Sequence, residues 1–169
     1  MININNTTTL IKGQIKSTLK CFNCNSVSHK FESLMYLNVP VPDLNENKNS
    51  KSSRITIKDC IKEFSKEERL EGREQWFCSF CKKFSNSSKK IEIWKSPNIL
   101  IIHLKRFKYT KKSTGKIRTI VDFPINDLNL EDLVAGKQKN KPIYDLFAVC
   151  VIIHTSMLNL LKRLIIIKN

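Results

Sequence analysis

Two CxxC pairs, Cys21-Phe22-Asn23-Cys24 and Cys78-Ser79-Phe80-Cys81, constrain this chain more than any other feature in it. Each sets two thiols on a short knuckle, and two knuckles supply the four thiolates of a tetrahedral structural zinc site. Between them lie 53 residues, positions 25–77, where a compact zinc ribbon has about 15–20. A sizeable piece of domain therefore loops out between the knuckles. One zinc, held by Cys21, Cys24, Cys78 and Cys81, is expected to clamp two β-hairpins inside a larger fold.

The competing readings are four unrelated thiols or two disulfides. Disulfides suit small secreted chains, and the first ten residues, rich in Asn and Thr, have neither the basic nor the apolar region of a secretory signal. A reducing compartment, cytoplasm or nucleus, is the expectation. Cys60 and Cys150 stand outside the pairs.

A length of 169 residues allows one modest domain. The Ile- and Leu-rich run 157–167 is interrupted by Lys162 and Arg163 and falls short of the roughly 20 apolar residues of a membrane span. No membrane segment is predicted. The formal charge of +15 would ordinarily point to an acidic partner such as nucleic acid. The chain is also broadly rich in Lys, Asn and Ile, whose codons are A/T-rich, and genome composition explains the lysines as cheaply. No nucleic-acid partner is expected.

Periodicity reads as strands punctuated by one helix. Residues 10–20 and 29–41 are extended, the second with Phe31, Met35, Leu37 and Val39 largely on one face, and the first knuckle lies between them. Residues 43–53 read as a disordered surface loop. Thr56 and Asp59 form a capping box before Ile57, Cys60, Ile61 and Phe64, one apolar helical stripe. Cys60 belongs to that stripe and reads as a small buried thiol. Gly72 marks a break in a charged stretch. Residues 75–77 lead into the second knuckle and 89–94 lead out of it. Residues 99–104 are a buried strand, Ser113-Thr114-Gly115 a turn, and 116–123 and 143–153 further strands.

Other candidate chemistry is thin. His103 interrupts an apolar strand and reads as a core histidine satisfied by backbone, with a ligand or base as the minority reading. Lys105, Arg106, Lys108, Lys111, Lys112, Lys116 and Arg118 read as a solvated surface rather than a phosphate-binding stripe. Trp76 and Trp94 are expected to pack. His29 and His154 have no partner motif.

Read in order, several strings resemble the ubiquitin-specific proteases. Gly13-Gln14-Ile15-Lys16-Ser17-Thr18-Leu19-Lys20 running into Cys21 is similar to the start of that family's fingers, as is Leu37-Asn38-Val39-Pro40-Val41-Pro42. Gln75-Trp76-Phe77 before Cys78 resembles the second knuckle. Pro97-Asn98-Ile99-Leu100-Ile101-Ile102-His103-Leu104-Lys105-Arg106-Phe107 resembles a palm strand and is the most specific string. Val121-Asp122-Phe123-Pro124-Ile125 and Tyr144-Asp145-Leu146-Phe147-Ala148-Val149-Cys150 also match. The resemblance covers roughly residues 10–150.

The resemblance implies an α+β fold, mostly antiparallel β: zinc-tipped fingers plus part of the palm of a papain-like cysteine protease domain. Fingers would span 10–95 and partial palm 96–150. It implies a thiol protease that cleaves ubiquitin from proteins, in which a thumb cysteine attacks and a palm histidine activates it. Zinc-tipped fingers and palm would grip ubiquitin and ubiquitinated proteins. Two departures qualify this. The family's cysteine box precedes the fingers, and here few residues do. After Cys150 the family carries its catalytic histidine in a glycine-rich stretch followed by Tyr, whereas this chain reads Val151-Ile152-Ile153-His154-Thr155-Ser156. No catalytic residue is therefore assigned, His154 included. Residues 151–169 read as a divergent tail, a change of frame or an unspliced intron, the alternative being a genuine C-terminus. The chain is expected to be inactive alone. A non-catalytic ubiquitin-binding protein and a zinc-ribbon nucleic-acid binder are the rivals.

Overall fold

The computed structural model describes residues 10–42, 54–110, 113–117, 119–152 and 161–168. The expected loop 43–53, together with Lys111, Lys112, Arg118 and His154, lies outside the described residues.

Two sheets carry the chain. The first is antiparallel and four-stranded. β1 (Gly13–Cys21) pairs with β2 (Val27–Leu34) across the first knuckle. β8 (Ser87–Lys95) lies along the other side of β1, and β5 (Glu68–Leu70) closes that edge. Consecutive residues Gln14 and Ile15 face Lys95 and Ile93, so Trp94 is the extra residue of a bulge. That bulge turns Trp94 onto the outer face, edge-on to Phe31 at 5.4 Å and under the Lys16 ammonium at 5.0 Å. Trp94 packs, as expected of it.

The second sheet is five-stranded, in the order β13 (Leu128–Asn129), β14 (Ile143–Ile152), β15 (Leu161–Lys168), β9 (Ile99–Lys105), β3 (Leu37–Pro40). Only the β3–β9 pairing is parallel within it. β15 comes from the segment after Cys150 and lies between β14 and β9. Burial alternates along β9: Leu100, Ile102 and Leu104 are fully buried and the residues between them half-buried. This alternation is the period-2 signature of a sheet packed on one face.

The helix α1 (Ile57–Phe64) covers the core beside β3. Its capping box is complete: the Asp59 amide donates to Thr56 Oγ1 at 3.3 Å, and the Thr56 amide donates to Asp59 Oδ2 at 3.0 Å. Ile57, Cys60 and Ile61 are buried, and Phe64 packs against the same cluster. Just before α1, β4 (Ile55–Thr56) runs parallel to β12 (Val121–Asp122).

The two sheets meet at Ser96-Pro97, and one amide spans the joint. Gln138 Oε1 accepts from the Ser96 amide at 3.1 Å and the Ser96 hydroxyl at 2.9 Å. Its Nε2 donates to the carbonyls of Trp94 at 2.9 Å and Gly136 at 2.7 Å. Gly136 sits so close that a Cβ there would run into the Trp94 carbonyl. The buried Tyr144 hydroxyl donates to the Pro97 carbonyl at 2.8 Å, and burial pushes its pKa up to about 12.

Five expectations need correction. Residues 29–41 are not one strand with a single apolar face: β2 ends at Leu34 and β3 begins at Leu37 in the other sheet, with Phe31 and Met35 exposed and Leu37 and Val39 buried. The chain leaving the second knuckle does not run straight into residues 89–94. β6 (Trp76–Cys78) pairs with the short β7 (Lys83–Ser85), and 89–94 belong to β8, paired with β1. Asn86 makes the change of partner: its carbonyl accepts the Phe22 amide at 3.0 Å and its Oδ1 accepts from Gln75 at 2.7 Å. Ser113-Thr114-Gly115 is not a turn but part of β11 (Ser113–Lys116), paired with β10 (Phe107–Thr110). Residues 116–123 do not form one strand, because Arg106 intervenes. That side chain is buried, not solvated, and donates to the Ile117 and Thr119 carbonyls at 3.3 and 2.7 Å.

Candidate metal centre

The two knuckles are built alike. In each, the amide of the residue after the second cysteine donates to the carbonyl of the first: Asn25 to Cys21 at 2.9 Å, Lys82 to Cys78 at 2.8 Å. Both donors have left-handed backbones, φ 57° and 54°. That conformation folds each turn tightly enough for its two sulfurs to point the same way. β1 pairs with β8 as far as Cys21↔Ser87, which carries the second hairpin up to the first.

The four sulfurs of Cys21, Cys24, Cys78 and Cys81 converge to within 4.8 Å of one another. Across the knuckles, Cys21 Sγ lies 3.9 Å from Cys81 Sγ and Cys24 Sγ lies 3.7 Å from Cys78 Sγ. A tetrahedron with thiolate–metal bonds of ~2.3 Å has edges of about 3.8 Å. The donor set and its spacing fit a tetrahedral four-thiolate site. Sixty positions of sequence separate Cys21 from Cys81, so the spacing inferred from the sequence is closed by the sheet.

Four thiols so close cannot all ionise without a cation between them. The Ser26 hydroxyl, then the backbone amides of Cys81 and Phe80, hold the Cys78 thiol down to about 6. Cys81 receives an Asn23 hydrogen bond that lowers it, yet the neighbouring Cys24, Cys78 and Cys21 push it up to about 11. The Cys24 thiol is lowered, first by the Ser26 side chain and then by its amide. A divalent cation removes the conflict by taking all four as thiolates.

The remaining candidates fall elsewhere. Cys60 is fully buried, and desolvation raises its thiol to about 11. Cys150 is exposed on β14. His103 is half-buried, with Nδ1 2.7 Å from Asn38 Oδ1. His29 Nδ1 lies 3.1 Å from Thr18 Oγ1 on an exposed face. Sequence reasoning missed Ser26 and Asn23, which touch the sulfurs. Their only sequence signal is position, inside and two residues after the first CxxC.

The profile of one protein family, Ubiquitin carboxyl-terminal hydrolase, matches residues 1–157. The chain belongs to that family. Human ubiquitin carboxyl-terminal hydrolase 21 is 36% identical over 141 residues, which are 83% of this chain and 24% of the relative. Ubiquitin carboxyl-terminal hydrolase 2 of Gallus gallus is 36% identical over 140 residues, 83% of this chain and 37% of the relative. Ubiquitin carboxyl-terminal hydrolase 5 of Arabidopsis thaliana is 40% identical over 103 residues, 60% of this chain and 11% of the relative. The chain thus spans well under half the length of these hydrolases. The mostly antiparallel strands, the helix and the four-cysteine cluster agree with the zinc-tipped α+β fold that the sequence strings imply.

Proposed function

We propose that this chain is the zinc-bearing, ubiquitin-gripping part of a cysteine-type deubiquitinase. The convergence of four sulfurs from two hairpins, in a chain of this family, carries the reading. Zinc is the ion favoured by four thiolates in a tetrahedron, and a closed set of ligands makes it structural. Bound there, it supplies a cross-link between hairpins. Four reduced thiols suit the cytoplasm or nucleus, and no helix among the described residues is long and apolar enough to cross a membrane.

Ubiquitin enters from the names of the relatives. Nucleophilic catalysis needs a thiolate with a base in hydrogen-bond reach. Four of the six cysteines converge on one another, and Cys60 is buried with its thiol raised to about 11. The polypeptide of residues 1–169 is therefore expected to bind ubiquitin, more weakly than the full-length relatives, and not to hydrolyse its conjugates. Calorimetry with ubiquitin, a ubiquitin probe with a C-terminal electrophile and a fluorogenic ubiquitin substrate test this together. Binding without labelling or turnover is the expected result. Labelling of Cys60 or Cys150, or turnover abolished by His154→Ala, would contradict it. Salt-sensitive binding to RNA or DNA with none to ubiquitin would replace the reading altogether.

A further inference from the structure

Two polar side chains cross from the first knuckle to the sulfurs of the second, and neither is a ligand. Ser26 Oγ lies 3.1 Å from Cys24 Sγ and 3.4 Å from Cys78 Sγ, so one hydroxyl spans both knuckles. Asn23 Nδ2 donates to Cys81 Sγ at 3.2 Å. Donors in the outer sphere stabilise the charge on ligating thiolates and fix their direction. Exposure around the cluster is uneven. Cys21 and Cys78 are fully buried, Cys24 is exposed and Cys81 half-buried. Protons and chelators therefore approach on the side of Cys24 and Cys81, where Ser26 and Asn23 sit.

We propose that Ser26 and Asn23 are positioning residues that retain the metal, setting how slowly it leaves rather than whether the site forms. The inference rests on the metal reading above. A hydroxyl carries a single proton. The Cys24 thiol donates to Ser26 Oγ, which leaves the hydroxyl proton for Cys78. With both sulfurs as thiolates the hydroxyl serves only one of them. Cys78 takes it, because water can serve the exposed Cys24 and cannot reach Cys78. Asn23 serves Cys81 from across the knuckle junction. Each donor fixes the direction of its sulfur and ties one knuckle to the other, so losing it loosens the hold of the two knuckles on the metal.

The test follows zinc transfer from the loaded chain to a chromophoric chelator. Ser26→Ala and Asn23→Leu should each release zinc about 10-fold faster or more, from the same starting content and with an unchanged melting midpoint in saturating zinc. Ser26→Thr, which keeps the hydroxyl, should release at close to the parent rate. With cobalt(II) substituted, the sulfur-to-cobalt charge-transfer band should shift in Ser26→Ala and not in Ser26→Thr. Parent-like release from both Ser26→Ala and Asn23→Leu would overturn the proposal, as would equal acceleration by Ser26→Thr and Ser26→Ala. A parent chain that starts without metal would instead overturn the metal reading, and the starting content distinguishes the two failures.

Discussion

Chelation is expected to melt the β6–β7 hairpin and the knuckle turns while leaving the core around β9 and α1 folded. The β6–β7 hairpin has three residues per strand and, among the described residues, pairs with no other strand. A two-stranded ribbon of that size does not hold in water by itself. The knuckle amides of Asn25 and Lys82, protected in the folded chain, should exchange at once when the metal goes. Cys78→Ser combined with Cys81→Ser should reproduce the chelated state. Acid should do the same, with a definite sign. Binding strips protons from the thiols, so retention weakens as pH falls. Hydrogen exchange by mass spectrometry checks this, and equal protection of the β6–β7 hairpin with and without chelator would contradict it.

The second large effect lies in the palm. Ile102 is fully buried at the centre of β9, opposite Leu37 on β3. Ile102→Ala removes three buried carbons and leaves a cavity walled by neighbours that cannot close on it. The expected loss is about 2–5 kcal/mol. Phe80→Ala is the contrast: the ring is 77% exposed at the knuckle tip, and its removal should change stability by no more than about 0.5 kcal/mol. Urea unfolding of the two zinc-loaded variants checks the difference. A smaller loss from Ile102→Ala than from Phe80→Ala would mean that β9 does not lie where the sheet puts it.

Local chemistry made much of this legible in the sequence. Each CxxC fixes its own turn, so the four ligand positions could be named from spacing alone. Thr56 and Asp59 satisfy each other within one helical turn, and α1 starts where they place it. β9 and β14 announce themselves by long apolar runs, interrupted by His103 in one and Asp145 in the other. What stayed hidden depends on partners distant in sequence. β5 reads Glu68-Arg69-Leu70, with no alternation to mark it, and becomes a strand only because β8 offers an edge. Arg106 looks like one more surface cation until the chain bends back to present the Ile117 and Thr119 carbonyls. Gln138, which ties the two sheets together, lies 42 positions from Ser96, and nothing local distinguishes it from any other polar loop residue. The family strings supplied the global arrangement that periodicity could not.

The most direct test of the central claim is the zinc content of the purified chain under reducing conditions, by elemental analysis against protein concentration. One zinc per chain is expected, falling to none in the Cys78→Ser, Cys81→Ser double variant. A value near zero for the parent chain, or zinc retained by the double variant, would contradict the assignment of these four sulfurs.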